Sequence, residues 1–207
     1  MSSNLTSLPP FDPNPTTLTG RYVELRPLER DHAAGLFEAG RDPTIWRYLP
    51  LAQPKTVSEM EAFIDYAHER QRGGFEVPFV TIERVSGRVA GTTRYLDIQR
   101  RHRGLEIGWT WISSEFQRTA VNTEAKLLQM RHAFEDLGAI RVCLKTDLRN
   151  ERSQRAIERL GAQKEGVFRN HYIMPDGYVR DSVWFSIVDR EWPDVRARLD
   201  EMLERHG

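Results

Sequence analysis

The sequence lacks the features that would place it among disulfide-rich, metal-binding or membrane-spanning proteins. Its single cysteine, Cys143, excludes an internal disulfide, and no zinc-ligand spacing occurs. The six histidines show no metal spacing either, so we expect no metal site. No run of about 18 apolar residues occurs, which predicts no membrane span. The first 17 residues have no apolar core and do not resemble a secretory signal, so we expect a cytoplasmic protein.

The sequence also lacks net charge, because 30 basic and 30 acidic side chains cancel. It therefore predicts no global field that would attract nucleic acid or an anionic membrane. One local stretch, residues 94–103, holds four arginines and a histidine. We interpret it as a solvated loop, with an anion-steering rim near a phosphate-bearing ligand as the alternative.

The length of 207 residues predicts one domain. Residues 1–17 contain four prolines and little to bury, which predicts a flexible or loosely docked arm, with the domain over residues 18–207. We expect a strand at 20–28, a helix ending at Gly40, and a second helix opened by a capping box at Ser58–Glu61.

The second half of the chain alternates between strand and helix signals. Strands at 77–83 and 88–96 flank a Ser-Gly turn, and a third strand covers 105–112. A helix ending at Gly138 then leads to a strand at 140–146. There follow a helix from Asn150 to Gly161, strands at 164–174 and 178–188 around a Pro-Asp-Gly turn at 175–177, and a last helix from Pro193. This order predicts one mixed α/β sheet with helices on its faces and with strands 105–112 and 140–146 parallel.

Residues 114–123 follow a strand and open a helix. Such a turn presents unpaired N–H groups and the positive end of the helix dipole, which bind phosphate well. Arg118 adds a permanent positive charge, and Thr119, Asn122 and Thr123 add hydrogen-bonding groups. Taken alone, the pattern also fits an ordinary capped helix.

Two separated stretches make the interpretation more specific. Residues 117–122, Gln-Arg-Thr-Ala-Val-Asn, are similar to the pyrophosphate loop Gln/Arg-x-x-Gly-x-Gly/Ala of the GCN5-related N-acetyltransferase superfamily. Residues 150–162 resemble its second signature, an asparagine that opens a helix ending in Leu-Gly. The amino-acid sequence is similar to that of the ribosomal-protein-alanine N-acetyltransferase-like branch at residues 122–126, 149–153, 174–178 and 180–181. The resemblance covers residues 19–193.

This resemblance implies a fold, a cofactor and a reaction. The fold is a mixed, mostly antiparallel sheet of about seven strands, splayed at its centre and flanked by four to five helices. The reaction is attack of a primary amine, a protein N-terminus or a small molecule, on acetyl-coenzyme A in a ternary complex. The residues implied in cofactor binding are Trp111, Ile112, Gln117, Arg118, Thr119, Ala120, Val121, Asn122, Thr123, Asn150 and Ser153.

The loop departs from the family pattern at two positions. Ala120 stands where the family prefers glycine, and Asn122 replaces a small residue. If the loop requires positive φ at 120, alanine weakens cofactor binding, whereas a normal helix start costs nothing. Asn122 is expected either to cap the helix or to meet a phosphate.

Glu106 is the candidate general base, because the family often places a glutamate on the strand before the phosphate turn. Its neighbours Leu105, Ile107, Trp109 and Trp111 are expected to form an apolar setting that raises its pKa. The alternative is a solvated or salt-bridged strand residue. Many family members use a tyrosine as acid on the last short helix, where this chain has Ile157. Ser153 is the substitute candidate, and a backbone-bonded serine is the equal alternative.

Three side chains are candidates for binding the amine acceptor. Trp109 is expected either to line a cleft or to lie in the core, and Tyr172 and Arg180 border the expected acceptor side. Cys143 is expected to be a buried structural thiol. The leading hypothesis is an N-acetyltransferase, for which a homodimer is the candidate assembly. The alternatives are a non-catalytic acyl-coenzyme A sensor and a nucleotide-binding domain, for which the Gly-x-x-x-x-Gly-Lys loop is missing.

Overall fold

The computed structural model describes residues 10–206. Within them, eight strands form one sheet and five α-helices pack on it. The strands are β1 (Leu18–Thr19), β2 (Val23–Pro27), β3 (Val77–Glu83), β4 (Val89–Gln99), β5 (Gly104–Ile112), β6 (Arg141–Asp147), β7 (Gln163–Ile173) and β8 (Val179–Val188). The helices are α1 (Ala33–Ala39), α2 (Val57–Arg72), α3 (Ala120–Arg131), α4 (Glu151–Leu160) and α5 (Trp192–Glu204).

The sheet has the order β1-β2-β3-β4-β5-β6-β8-β7, and β5–β6 is its single parallel pair. This confirms the predicted class, the two hairpins and the parallel neighbours. The sheet has eight strands rather than about seven, because residues 18–27 form two short antiparallel strands instead of one. Gly161 ends α4 with φ of 105°, and Gly138, with φ of 69°, follows the π-helical segment His132–Asp136 that extends α3. Glycine adopts both values without steric cost.

The two central strands separate soon after they meet. The strands β5 and β6 pair only at Gly104–Arg141, Leu105–Val142 and Glu106–Cys143. Their other neighbours follow them much further, since β4 pairs with β5 as far as Ile112 and β8 with β6 as far as Asp147. A wedge therefore opens in the middle of the sheet, with Glu106 at its apex.

Hydrophobic side chains form one core on each face of the sheet. The larger core holds the apolar faces of α3, α4 and α5, including Leu128, Ile157 and Leu199. The smaller core lies under α1 and α2 and includes Leu36, Ile64 and Trp111. Thus the wedge connects a face covered by α3 with a face covered by α1 and α2.

The start of α2 and the N-terminal arm differ in how the structure bears on their predictions. The capping box predicted at Ser58–Glu61 was wrong, because α2 begins earlier: Thr56 is the N-cap and its Oγ1 accepts the N–H of Glu59. Residues 1–9 of the predicted arm lie outside the described residues. Phe11 is buried in the larger core, and the mobility of the arm and its boundary at residue 17 stay predictions. Across residues 10–206, no helix combines the length and apolarity that a membrane crossing requires.

Candidate active site

A bulge in β5 shapes one wall of the wedge. Trp109 and Thr110 together face the single residue Thr93 of β4, and Trp109 has φ of 50°. The bulge gives the two tryptophans different surroundings. Trp111 is buried in the smaller core, with its ring 5.2 Å from that of Trp46. Trp109 is half-buried, and the guanidinium of buried Arg94 lies 5.0 Å from its ring.

The phosphate-type turn has a regular helix start. Thr119 is the N-cap of α3: its Oγ1 accepts the N–H of Val121 at 3.3 Å and donates to the carbonyl of Phe116 at 2.7 Å. Ala120 is the first helical residue and has no positive φ. The left-handed conformation falls instead on the exposed Arg118, at φ of 63°. Alanine at position 120 therefore imposes no conformational cost on this loop.

The start of α3 has the donors that a diphosphate needs. The first N–H groups of a helix have no acceptor within it, and Thr119 accepts only one of them. Asn122 is not the cap, as was one expectation, because it lies in the first turn, where its Oδ1 is buried without a hydrogen-bond partner. With Arg118 exposed beside these groups, the residues present fit an anionic ligand.

The beginnings of α3 and α4 lie next to each other. Gln117 donates to the carbonyl of Ile112 at 3.0 Å and accepts from Arg152 of α4 at 2.9 Å. Asn150 caps α4, since its Oδ1 accepts the N–H of Ser153 at 3.1 Å. Ser153 is half-buried in the same first turn as Arg152. One hydrogen-bonded chain thus joins the end of β5 to both helix starts.

Glu106 is buried at the apex of the wedge, with 1% of its surface exposed. Its Oε2 lies 2.7 Å from Nζ of Lys145 on β6. Burial raises the pKa of Glu106, and Lys145 opposes that rise. Gly108 leaves room for the carboxylate, because a Cβ there would lie 2.8 Å from Oε1.

The raised pKa of Glu106 agrees with expectation, but the predicted surroundings were partly wrong. Leu105 and Ile107 point into the larger core on the opposite face, because side chains alternate along a strand. Leu96 of β4 and Cys143 of β6 are instead the residues opposite Glu106. Cys143 is half-buried, and burial raises the pKa of its thiol, which disfavours a nucleophilic thiolate.

Tyr172 and Arg180 lie together on the α1–α2 side of the wedge. They are direct partners in the β7–β8 hairpin, and the Arg180 guanidinium lies 5.5 Å from the centre of the Tyr172 ring. Nζ of Lys145 is also 5.5 Å from that ring. Arg180 Nη1 donates to the carbonyl of Tyr48, in the segment between α1 and α2, at 3.1 Å. The structure thus brings both residues near the Glu106–Lys145 pair.

Several residues of the site were not predicted. Lys145 had one available signal: it is a lysine on the strand predicted to lie parallel to that of Glu106. Arg152, Tyr48 and Trp46 had none, because their contacts join segments far apart in sequence. Among residues 10–206, no three side chains of the metal-ligand types lie together.

The wedge in the sheet, with a helix start at its open end and a buried carboxylate at its apex, defines an acyltransferase type of site. The chain belongs to the acetyltransferase (GNAT) family, whose domain model matches residues 23–163. This confirms the resemblance, and the chain is an acetyltransferase. Members of this family bind acetyl-coenzyme A.

Relatives agree with this assignment. A GCN5-related N-acetyltransferase from Brucella melitensis has a solved structure with a TM-score of 0.89 and 32% identity, covering 96% of this chain and 90% of its own. YdaF of Bacillus subtilis (strain 168), a proposed ribosomal N-acetyltransferase, is 32% identical over 51% of this chain and 57% of its own length. Thus the match spans little more than half of YdaF. RimJ of Mycobacterium smegmatis, solved with CoA-disulfide, shares the fold with a TM-score of 0.78 and 21% identity, over 93% of this chain and 96% of its own.

Proposed function

We propose that this enzyme transfers an acetyl group from acetyl-coenzyme A to a primary amine bound on the α1–α2 side of the wedge. The diphosphate lies at residues 117–123, against the free N–H groups of α3. Arg118 and Arg152, exposed at the starts of α3 and α4, contribute positive charge. The fold shared with RimJ, which was solved with CoA-disulfide, supports this placement.

The remaining contacts to acetyl-coenzyme A come from the end of β5 and the start of α4. Beyond Glu106, the β6-facing edge of β5 has no strand partner as far as Trp111 and Ile112, so main-chain groups along it are available to an extended ligand, except the Ile112 carbonyl, which accepts from Gln117. Thr119, Asn122 and Thr123 offer polar atoms at the helix start, and Asn150 and Ser153 at the opposite wall.

Bound acetyl-coenzyme A supplies an activated thioester. The enzyme must remove a proton from the ammonium group of the acceptor, because only an uncharged amine can attack. Glu106 accepts the proton from the ammonium group, directly or through water. Burial raises the pKa of Glu106 towards the pH at which the enzyme works, as a general base requires. This carboxylate at the last paired residue of β5 and β6 is the observation that carries the proposal.

Ser153 is proposed to donate a proton to the departing thiolate. A thiolate leaves with little assistance, since a free thiol has a pKa of about 8.5. The contribution of Ser153 is therefore smaller than that of Glu106. The acceptor is a protein N-terminus or a small primary amine. Transfer to a protein N-terminus agrees with the ribosomal N-acetyltransferase activity proposed for YdaF.

The test is release of coenzyme A thiol from acetyl-coenzyme A in the presence of N-terminal peptides, polyamines, amino sugars and amino acids. We expect at least one class to accelerate release above hydrolysis. Glu106→Gln should lower kcat/KM by about 10²- to 10⁴-fold, the usual contribution of a general base. The loss should be larger for amines of high pKa, since these depend more on proton removal.

Glu158→Gln is the matched control, because Glu158 is exposed on α4. It should leave kcat/KM unchanged. If Glu106→Gln is as active as Glu158→Gln, Glu106 is a structural residue. If no amine releases thiol although acetyl-coenzyme A binds, the proposed transfer to an amine is wrong.

A further inference from the structure

Arg180 is a buried cation without a carboxylate partner. Only 5% of its surface is exposed, and among residues 10–206 no Asp or Glu lies within ion-pair distance of it. In the described part of the chain, its one hydrogen bond goes from Nη1 to the carbonyl of Tyr48, and Nε is buried without a partner. The Nε and Nη2 edge of the guanidinium is therefore free, and this edge matches the two oxygens of a carboxylate.

The surrounding charges leave Arg180 uncompensated. The two neighbouring carboxylates are already engaged, Glu106 by Lys145 at 2.7 Å and Asp147 by Arg149 at 3.0 Å. Burial lowers the pKa of Arg180, and Asp147 and Glu106 oppose that effect only from a distance. The cluster thus holds three cations and two carboxylates.

The surroundings of a nearby histidine show the same excess of positive charge. Nδ1 of His171 is buried without a partner, and its ring lies 4.1 Å from that of Tyr172. Burial, followed by the charges of Lys145 and Arg180, lowers the pKa of His171. Asp97 and Asp176, which influence Glu106 and Arg149, are exposed. The interior of the cluster therefore favours an added negative charge.

A cavity lies between the segment after α1 and the β7–β8 turn. Its volume is about 210 Å³, and its lining includes Trp46, Arg47 and Leu49 from the segment after α1 and Met174 and Pro175 from the β7–β8 turn. Arg47 and Leu49 flank Tyr48, the residue that holds Arg180.

We infer that the amine acceptor carries a carboxylate, which Arg180 binds through Nε and Nη2 while the amine meets Glu106. This inference rests on the proposed transfer to an amine and narrows its substrate class. The acid side chain of a residue close to a peptide N-terminus and the acid group of a small amino acid both present this chemistry. Tyr172, which contacts both Arg180 and Lys145, lies along the path between the two groups.

The experiment compares acceptors that differ in one acid group. Peptide amides Ala-Asp-Ala and Ala-Asn-Ala, the same pair with the acid at position 3, and ω-amino acids with their amides are assayed by thiol release. We expect the acid to exceed the amide in kcat/KM by about tenfold or more at one spacing, as a charge-assisted hydrogen-bond pair gives. Arg180→Met should abolish this preference, and Arg180→Lys should keep part of it.

Arg169→Met is the matched control, because it removes an exposed cation from the same hairpin. It should leave the preference unchanged, and unaltered coenzyme A affinity will show that each variant is folded. Acetylation without preference for the acid at any spacing, or an equal preference in Arg180→Met, overturns the inference and leaves the transfer reaction standing. A phosphoserine peptide that outcompetes both acids overturns the carboxylate assignment. Absence of thiol release with every amine overturns the transfer proposal itself, and the inference with it.

Discussion

Nζ of Lys145 lies 2.7 Å from Oε2 of Glu106, so the candidate base is one member of a buried ion pair. The pair joins β6 to β5 where the two strands separate. Burial disfavours the charged form of Glu106, and Lys145 favours it. The balance between these two effects sets the pH at which Glu106 can accept a proton.

Lys145→Met should therefore move the acidic limb of the pH profile. If Glu106 is the base, as proposed, activity requires its carboxylate form and should be lost as the pH falls through its pKa. Removing Lys145 eliminates the main influence that lowers this pKa, so the limb in kcat/KM should shift to higher pH. The measurement is kcat/KM across the pH range, with Lys164→Met, which changes an exposed lysine, as the control. An unshifted limb would show that another group controls it.

Ala120→Gly should not improve binding of coenzyme A. Ala120 is the first residue of α3 and has no positive φ, so glycine relieves no strain and only adds unfolded-state entropy. We expect unchanged affinity and a stability loss of up to about 1 kcal/mol. Calorimetric titration with coenzyme A and urea unfolding check both values. Tighter binding by Ala120→Gly would mean that the loop needs a conformation which alanine resists.

Arg118→Gly and Arg118→Ala separate charge from backbone strain. Both remove a cation from the proposed diphosphate site, so both should weaken binding of coenzyme A, most at low salt. Only glycine fits the φ of 63° without cost, and Arg118→Gly should be about 1 kcal/mol more stable than Arg118→Ala. Equal stability of the two variants would contradict the left-handed conformation at this position.

Glu124→Gln should destabilise the fold without a direct effect on the wedge. The Glu124 carboxylate accepts the N–H groups of Arg21, Tyr22 and Val23 at 2.8, 2.6 and 2.7 Å, which anchors α3 to the first hairpin. An amide nitrogen cannot accept these bonds, so a loss of about 1–3 kcal/mol is expected. Urea unfolding measures it against Glu158→Gln, and similar stability of the two variants would contradict this role.

Lys126→Met should flatten the dependence of stability on pH. Burial lowers the pKa of Lys126 to about 7, well below its value in an unfolded chain. Between these two values the unfolded chain holds a proton that the folded chain has released, so stability rises with pH, by at most about 1.4 kcal/mol per unit. Thr93 and Thr110, which bind Lys126, also bond each other at 2.7 Å and remain satisfied in the variant. An unchanged slope in urea unfolding from pH 7 to 10 would contradict the prediction.

The sequence predicted those parts of the molecule that local patterns determine. The turns at Gly87 and Gly177, the helix ends at Gly138 and Gly161, and the cap at Asn150 depend on residues close in sequence, and they were found. The parallel pairing of β5 and β6 followed from a general rule of chain topology.

The missed features depend on contacts between distant segments. The bulge at Trp109 results from pairing with β4, and it gives Trp109 and Trp111 different surroundings although they are alternate residues. Burial of Arg180 likewise depends on Tyr48, 132 residues away. Local patterns carry no information on such contacts, so only the fold shows that Arg180 is buried away from any carboxylate among the described residues.

The early separation of β5 from β6 has a consequence for how such an enzyme can diversify. If main-chain groups bind acetyl-coenzyme A, as proposed, its affinity does not depend on which side chains those positions carry. The proposed acceptor side of the wedge depends instead on the side chains of Tyr172 and Arg180, which single substitutions can replace. If both placements hold as proposed, selectivity for the acceptor can change from one descendant to the next while the same thioester continues to be used.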